Sequence, residues 1–127
     1  MRTNPATPFA AGAAVLPRRI VKAGASDGLV IQAAAATDKL LGVSDSLGAA
    51  AAADSVSVYL SGDAVEIDVG GAITRGDLVT ADAAGKAITA APAAGAACRT
   101  IGIALKTYAN GDVGEFRLAP GSVTTPA

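Results

Sequence analysis

The side chains that could carry chemistry are few, and most lack the partner such chemistry needs. Cys98 is the single cysteine and stands directly before Arg99. A neighbouring cation can lower a thiol pKa, but a cysteine nucleophile also needs a base. The chain contains no histidine, so Cys98 reads as a small packed hydrophobe. Ser55, Ser57 and Ser61 stay unactivated for the same reason. The acidic residues are nine aspartates and two glutamates, Glu66 and Glu115. Five of the aspartates, Asp63, Asp68, Asp77, Asp82 and Asp112, could hold Ca²⁺ only by converging at one end of a barrel. No EF-hand spacing is present. Aspartate at a turn bonds its own backbone, and that is the role expected of them. No catalytic residue, cofactor or metal site is expected.

Two basic positions call for a reading. Thr37-Asp38-Lys39 resembles the lysine hairpin of lipoyl carrier domains, but Leu40-Leu41-Gly42-Val43 lacks that motif's flanking acidic residues. A small carrier or ligand-binding β-domain with a modified Lys39 is the alternative reading. Arg18-Arg19 is either a solvated pair flanking an edge strand or a clamp for carboxylates on a partner. Ten basic residues against eleven acidic ones leave a formal charge of -1. Such a balance offers neither a nucleic-acid footprint nor a polybasic membrane patch. The longest uncharged stretch, residues 3–17, is too short to span a membrane and holds Pro5, Pro8 and Pro17. It begins like a leader, yet Gly12 breaks the apolar run and Pro17-Arg18-Arg19 ends it, so no signal peptide is expected.

These residues must be positioned by one small domain with a thin core. Alanine supplies 32 of the 127 residues, so the packing material is aliphatic and sparse. From Arg18 onward the apolar period is two. It predicts Val56, Val58 and Leu60 on one face, and Val65, Ile67 and Val69 inside with Glu66 and Asp68 outside. It also predicts Ile101, Ile103 and Leu105 on one face, and Phe116 and Leu118 inward. There Gly102 and Ala104 leave the opposite face bare for a second layer. Shorter strands are expected at 20–22, 29–32, 40–44, 78–80 and 87–89. Ser61-Gly62-Asp63 stands at hairpin distance between two strands. Asp82 to Gly85 suits a type I turn, and Asn110-Gly111-Asp112 is the strongest turn signal. The alanine runs at 33–36 and 49–53 are too short for independent helices. The fold expected is all-β, a small barrel or sandwich of short strands. Residues 1–17 are expected as an extended N-terminal arm, 18–119 as the β-domain and 120–127 as a C-terminal tail.

The order of segments carries a resemblance. Ala35-Ala-Thr-Asp-Lys-Leu-Leu-Gly-Val43 precedes the strand Val56-Ser-Val-Tyr-Leu60. Residues 62–87 follow, with 70–87 as the most specific part. Arg99-Thr-Ile-Gly-Ile-Ala-Leu105 then leads to Gly111-Asp-Val-Gly-Glu-Phe-Arg-Leu118. Over residues 18–119 the chain resembles the capsid cement, or head decoration, proteins of tailed bacteriophages. The resemblance implies a structural virion protein without catalysis. It would sit on the outer surface of the capsid, bind the major capsid protein and other copies of itself, commonly as trimers, and touch no nucleic acid or membrane. Another virion component, of tail or fibre, is the remaining alternative. If residues 1–17 anchor the protein, Phe9, Val15 and Leu16 are its apolar contacts, with Arg18 and Arg19 facing partner carboxylates.

Overall fold

The computed structural model describes residues 6–126. Residues 1–5 of the expected arm, residue 127 of the tail and the Asp63 side chain lie outside the described residues. Ten strands follow one another: β1 (Ala6–Ala11), β2 (Ile20–Ala23), β3 (Leu29–Gln32), β4 (Leu40–Ser44), β5 (Ser55–Tyr59), β6 (Gly62–Asp68), β7 (Leu78–Ala81), β8 (Ala87–Thr89), β9 (Ala97–Ala104) and β10 (Val113–Thr124). The first five close into a barrel in the order β1-β3-β2-β4-β5. The last five form a sheet in the order β6-β10-β9-β7-β8. The fold is all-β, as the period of two predicts.

The two halves are one design used twice. In the barrel, β1 runs antiparallel to β5, β2 pairs with β3 and β4, and β4 pairs with β5. In the sheet, β6 runs antiparallel to β10, β7 pairs with β8 and β9, and β9 pairs with β10. An isolated antiparallel bridge ties Val15 to Ala49 in the first unit and Ile73 to Tyr108 in the second. The loop bonds repeat as well. Ala11 N–H donates to Asp54 C=O, as Val69 N–H does to Asp112 C=O. Ala53 N–H donates to Ala11 C=O, as Gly111 N–H does to Val69 C=O. Val15 and Ile73, Ala11 and Val69, and Ala53 and Gly111 all stand 58 positions apart (73 minus 15, and likewise).

The repeat explains two unusual backbones. Arg18 (φ 54) and Ala53 (φ 73) are the only described non-glycine residues in the left-handed region. Their counterparts are Gly76 (φ 88) and Gly111 (φ 94), which adopt that conformation without a Cβ clash. Replacing Ala53 with glycine should therefore raise stability, by about 1 kcal/mol in urea titration, since relieved strain exceeds glycine's entropy cost. A loss of stability would contradict the strained reading of this turn.

One difference separates the units. In the barrel, β1 meets β3 directly, through Ala10 N–H to Gly28 C=O at 3.0 Å. In the second unit only a parallel bridge from Val69 to Ala87 joins the matching strands. Beyond it, residues 18–20 of the first unit enter the gap. Asp68 N–H donates to Arg18 C=O at 3.0 Å, and Ile20 N–H donates to Gly85 C=O at 2.8 Å. The larger core follows from this plug: Ile20, Ala33, Leu40 and Val43 join Val65, Ile67, Val69, Ile101, Phe116 and Leu118 in one cluster. A smaller cluster of Val15, Val21, Val30, Val56 and Val58 fills the barrel.

Several expectations are corrected by this architecture. Residues 6–11 are barrel strand β1, paired on both edges, rather than part of a free arm. Backbone pairing needs no large side chain, so a Pro/Ala segment can supply it. Residues 120–124 likewise belong to β10, which pairs with β9 as far as Thr124. Ser61-Gly62-Asp63 is a crossing between the barrel and the sheet, not a hairpin, because β5 and β6 take different partners. Leu60 lies beyond β5 and is exposed. In β9 Gly102 and Ala104 lie inward, opposite the buried Leu118 and Phe116, and Ile101 is buried in the same core. Ile103 is half-buried and Leu105 exposed. Gly102 accommodates the neighbouring strand instead of another layer, since a Cβ there would strike Arg117 O.

Candidate functional site

Aspartate chemistry in this chain is turn chemistry. Asp54, Asp77 and Asp112 each accept a hydrogen bond from the backbone N–H three residues earlier, Ala51, Thr74 and Ala109. Asp45 accepts from Leu47 and Gly48 N–H, and Asp82 from Ala84 and Lys86 N–H. Carboxylates used in this way are spread over separate turns. Among the described residues no three His, Cys, Asp or Glu side chains group to hold a metal ion.

Cys98 is buried near the outer end of β9. Burial pushes its thiol pKa up, which disfavours the thiolate a nucleophile needs. It lines an open depression of about 260 Å³ with Thr37, Ala97, Arg99 and Ser122. Lys39 is exposed just before β4. Its neighbour Asp38 accepts from Ala34 and Ala35 N–H and pairs with Lys22 at 3.1 Å. Burial works to raise the Asp38 pKa, but the backbone donors and the Lys22 ammonium together hold it below its ordinary value. Asp38 is thus a cap for its loop rather than a partner to Lys39.

The five contact candidates separate into three kinds. Phe9 packs against the barrel's core, and Val15 is 2% exposed within it. Arg18 Nε meets Asp68 Oδ1 at 3.0 Å, and Arg19 Nε meets Asp68 Oδ2 at 3.2 Å. Arg19 also donates to Ala84 C=O at 2.9 Å. These arginines brace the plug between the two units. Leu16 alone is an exposed apolar side chain, at 51%. The sequence reading missed the acidic partner of the two arginines, Asp68, and the most exposed leucine, Leu47 at 82%. Truncating Asp68→Ala leaves two guanidiniums unpaired at a half-buried seam. An unfolding free energy lower by about 2 kcal/mol is expected in urea titration. A change below about 0.5 kcal/mol, the range of ordinary surface substitutions, would show these ion pairs to be dispensable.

Leu47 and Leu16 lie at one end of the barrel, where the loops 12–16 and 46–53 cross. The Leu16 backbone is pinned on both sides: its N–H donates to Gln32 Oε1 at 3.0 Å, and its C=O accepts from Ser44 Oγ at 2.8 Å. Asp45 Oδ1 pins the backbones of Leu47 and Gly48. Gly48 (φ 63) has no room for a Cβ, which would strike Val15 O. Two leucines are therefore held outward on fixed backbone.

The N base of the head fiber gp8.5 of bacteriophage phi29 has a similar fold, with a TM-score of 0.66 at 17% identity over 92% of this chain and 95% of that one. Curated protein sequences give no match. A family model described as phage cement protein matches residues 2–119. With nearly the whole β-structure inside that match, the chain belongs to the phage cement protein family.

Proposed function

We propose that this protein decorates the outer surface of a phage head, binds the major capsid protein, and strengthens contacts between capsomers without catalysing a reaction. Family membership across residues 2–119 is the observation that carries this reading. The geometry agrees with it, since the polar side chains are spent on turns and on the seam between units. Many copies on one shell reinforce each other through effective concentration, so each single contact can be weak. Three-fold grouping of copies is part of the proposal. A fibre-base role is the second reading, favoured by the fold likeness to a head fiber base. It places the chain on the same shell.

The test uses heads prepared without this protein. Purified protein added back should bind to saturation, sediment with the shells and raise the temperature at which they rupture. Absence of binding would remove the cement reading. An image of decorated heads should show copies in threes, and isolated copies without mutual contact would count against that grouping.

A further inference from the structure

We infer that the apolar tip of the first unit, formed by the loops 12–16 and 46–53, is the foot that seats this chain on the protein shell. The inference rests on the cement reading and adds the surface and its chemistry.

The internal repeat supplies the control. The same pair of crossing loops exists in the second unit, around the Ile73–Tyr108 bridge. Both tips obey the same backbone bonds, so the fold makes the same demands on each. Their surfaces nevertheless differ. The first carries Leu16, Leu47, Ala13, Ala14 and Ala50 to Ala53, all exposed except for the pinned backbone beneath them. The second also shows one leucine, Leu105 at 42% exposure, but sets it among the charged and polar side chains of Thr74, Arg75, Lys106, Thr107 and Asn110. Since the fold is built equally well with cations and polar side chains over most of that tip, folding does not require an uncharged surface carrying both Leu16 and Leu47.

The first tip is also without charge. No Asp, Glu, Lys or Arg occurs in 12–16 or 46–53. The flanking Asp45 and Asp54 spend their carboxylates on the loops' own N–H groups. A surface of this kind matches an uncharged apolar depression, because a charge opposite it would be desolvated without a partner. Pinned backbone lowers the ordering cost of docking, leaving mainly side-chain rotamers to be fixed.

Size decides the occupant. Two leucines and a rim of methyl groups amount to a few hundred Å² on this side of the contact, below the roughly 800 Å² per partner of a standard specific interface. A second copy meeting this tip alone would not stay bound. A shell offers the same acceptor many times on one body and holds many copies, and contacts of this size can then add up. The occupant is therefore the shell's own repeated protein surface.

The experiment compares the two tips on heads lacking this protein. One variant combines Leu16→Asp and Leu47→Asp, and Leu47→Asp alone serves as the milder variant. The control combines Thr74→Asp and Asn110→Asp at the matching tip. Thermal unfolding checks that each is folded. The first pair should lose at least tenfold in shell affinity, the single variant a smaller part of that, and the control none. Wild-type affinity should also change less than about twofold between about 50 mM and about 500 mM salt, a range that screens exposed charge pairs. Unchanged binding by the first pair, or an equal loss in the control, overturns the assignment. A steep salt dependence also overturns it and points to Arg18 and Arg19. If the first pair binds shells normally but no longer forms wild-type oligomers, the tip joins copies and the assignment is wrong. Failure of the wild type to bind any shell instead removes the cement reading itself.

Discussion

Truncation of Phe116 to alanine is expected to lower the unfolding free energy by about 4 kcal/mol. Phe116 is fully buried and is the largest such side chain among the described residues. It sits in β10 opposite Ala104 and belongs to the core shared by both units. Its ring lies 5.6 Å from that of Tyr108, tilted by 42°. Gly114 makes room for this pair, since a Cβ there would press on both rings at 2.7 to 2.8 Å. Its partners across β9 and β6 are Ala104 and Val65, small side chains held on strands that offer little to fill a cavity. Domains of this size carry about 5–15 kcal/mol in total, so the variant gives up a large share. Urea titration followed by two probes would measure it. A loss below about 1.5 kcal/mol would mean that the shared core collapses around the gap.

Gly102→Ala should cost about 3 kcal/mol by overpacking, although it adds a single methyl. A Cβ at Gly102 would strike Arg117 O in the adjacent strand. Backbone cannot swing aside as a side chain can, so β9 and β10 would have to separate. Gly42 answers to Gly102: Gly42 pairs with Val21 and Gly102 with Val79. A Cβ at Gly42 would likewise strike Tyr59 O. Gly42→Ala is expected to show a similar loss, and the double variant roughly their sum if the sites act independently. Equilibrium unfolding of the three variants is the measurement. Neutral behaviour of either single variant would show that the strands can shift, and that the paired glycines are not a requirement of the repeat.

Much of the strand pattern was legible in the sequence. The strands at 29–32, 40–44 and 87–89 have the expected bounds, because turn residues flank short β-branched runs. Burial along β9 departs from a simple alternation for a physical reason. Period two says which residues share a face, but not which face is covered. Ile101, Ile103 and Leu105 were expected to share a face, and of these only Ile101 is buried in the core, while close approach of β10 also turns Gly102 and Ala104 inward. Strand β1 was missed because Ala6 to Ala11 offers only Phe9 as a large side chain, and its partners are distant in sequence. The repeat was hidden because hydrogen-bond geometry carries it. Few identities survive, among them Gly12 with Gly70, Val21 with Val79 and Asp54 with Asp112. Of the tip, Leu16 was noticed and Leu47 was not, since nothing in a sequence marks a leucine as exposed.

The unequal closure of the two units gives the chain a direction of assembly. A polypeptide is made from its N-terminus, so residues 6–59 leave the ribosome first and hold every strand of a closed barrel. They can reach their final pairing before the rest exists. The second half has no such independence, because Arg18 and Ile20 supply the bonds that fill its gap. It would fold onto a finished template, although β6 must still reach β10 from the other end of the unit. Chain order and plug therefore agree. A circularly permuted version starting at Ser61 would reverse that sequence, exposing an unfinished sheet edge until the barrel arrived.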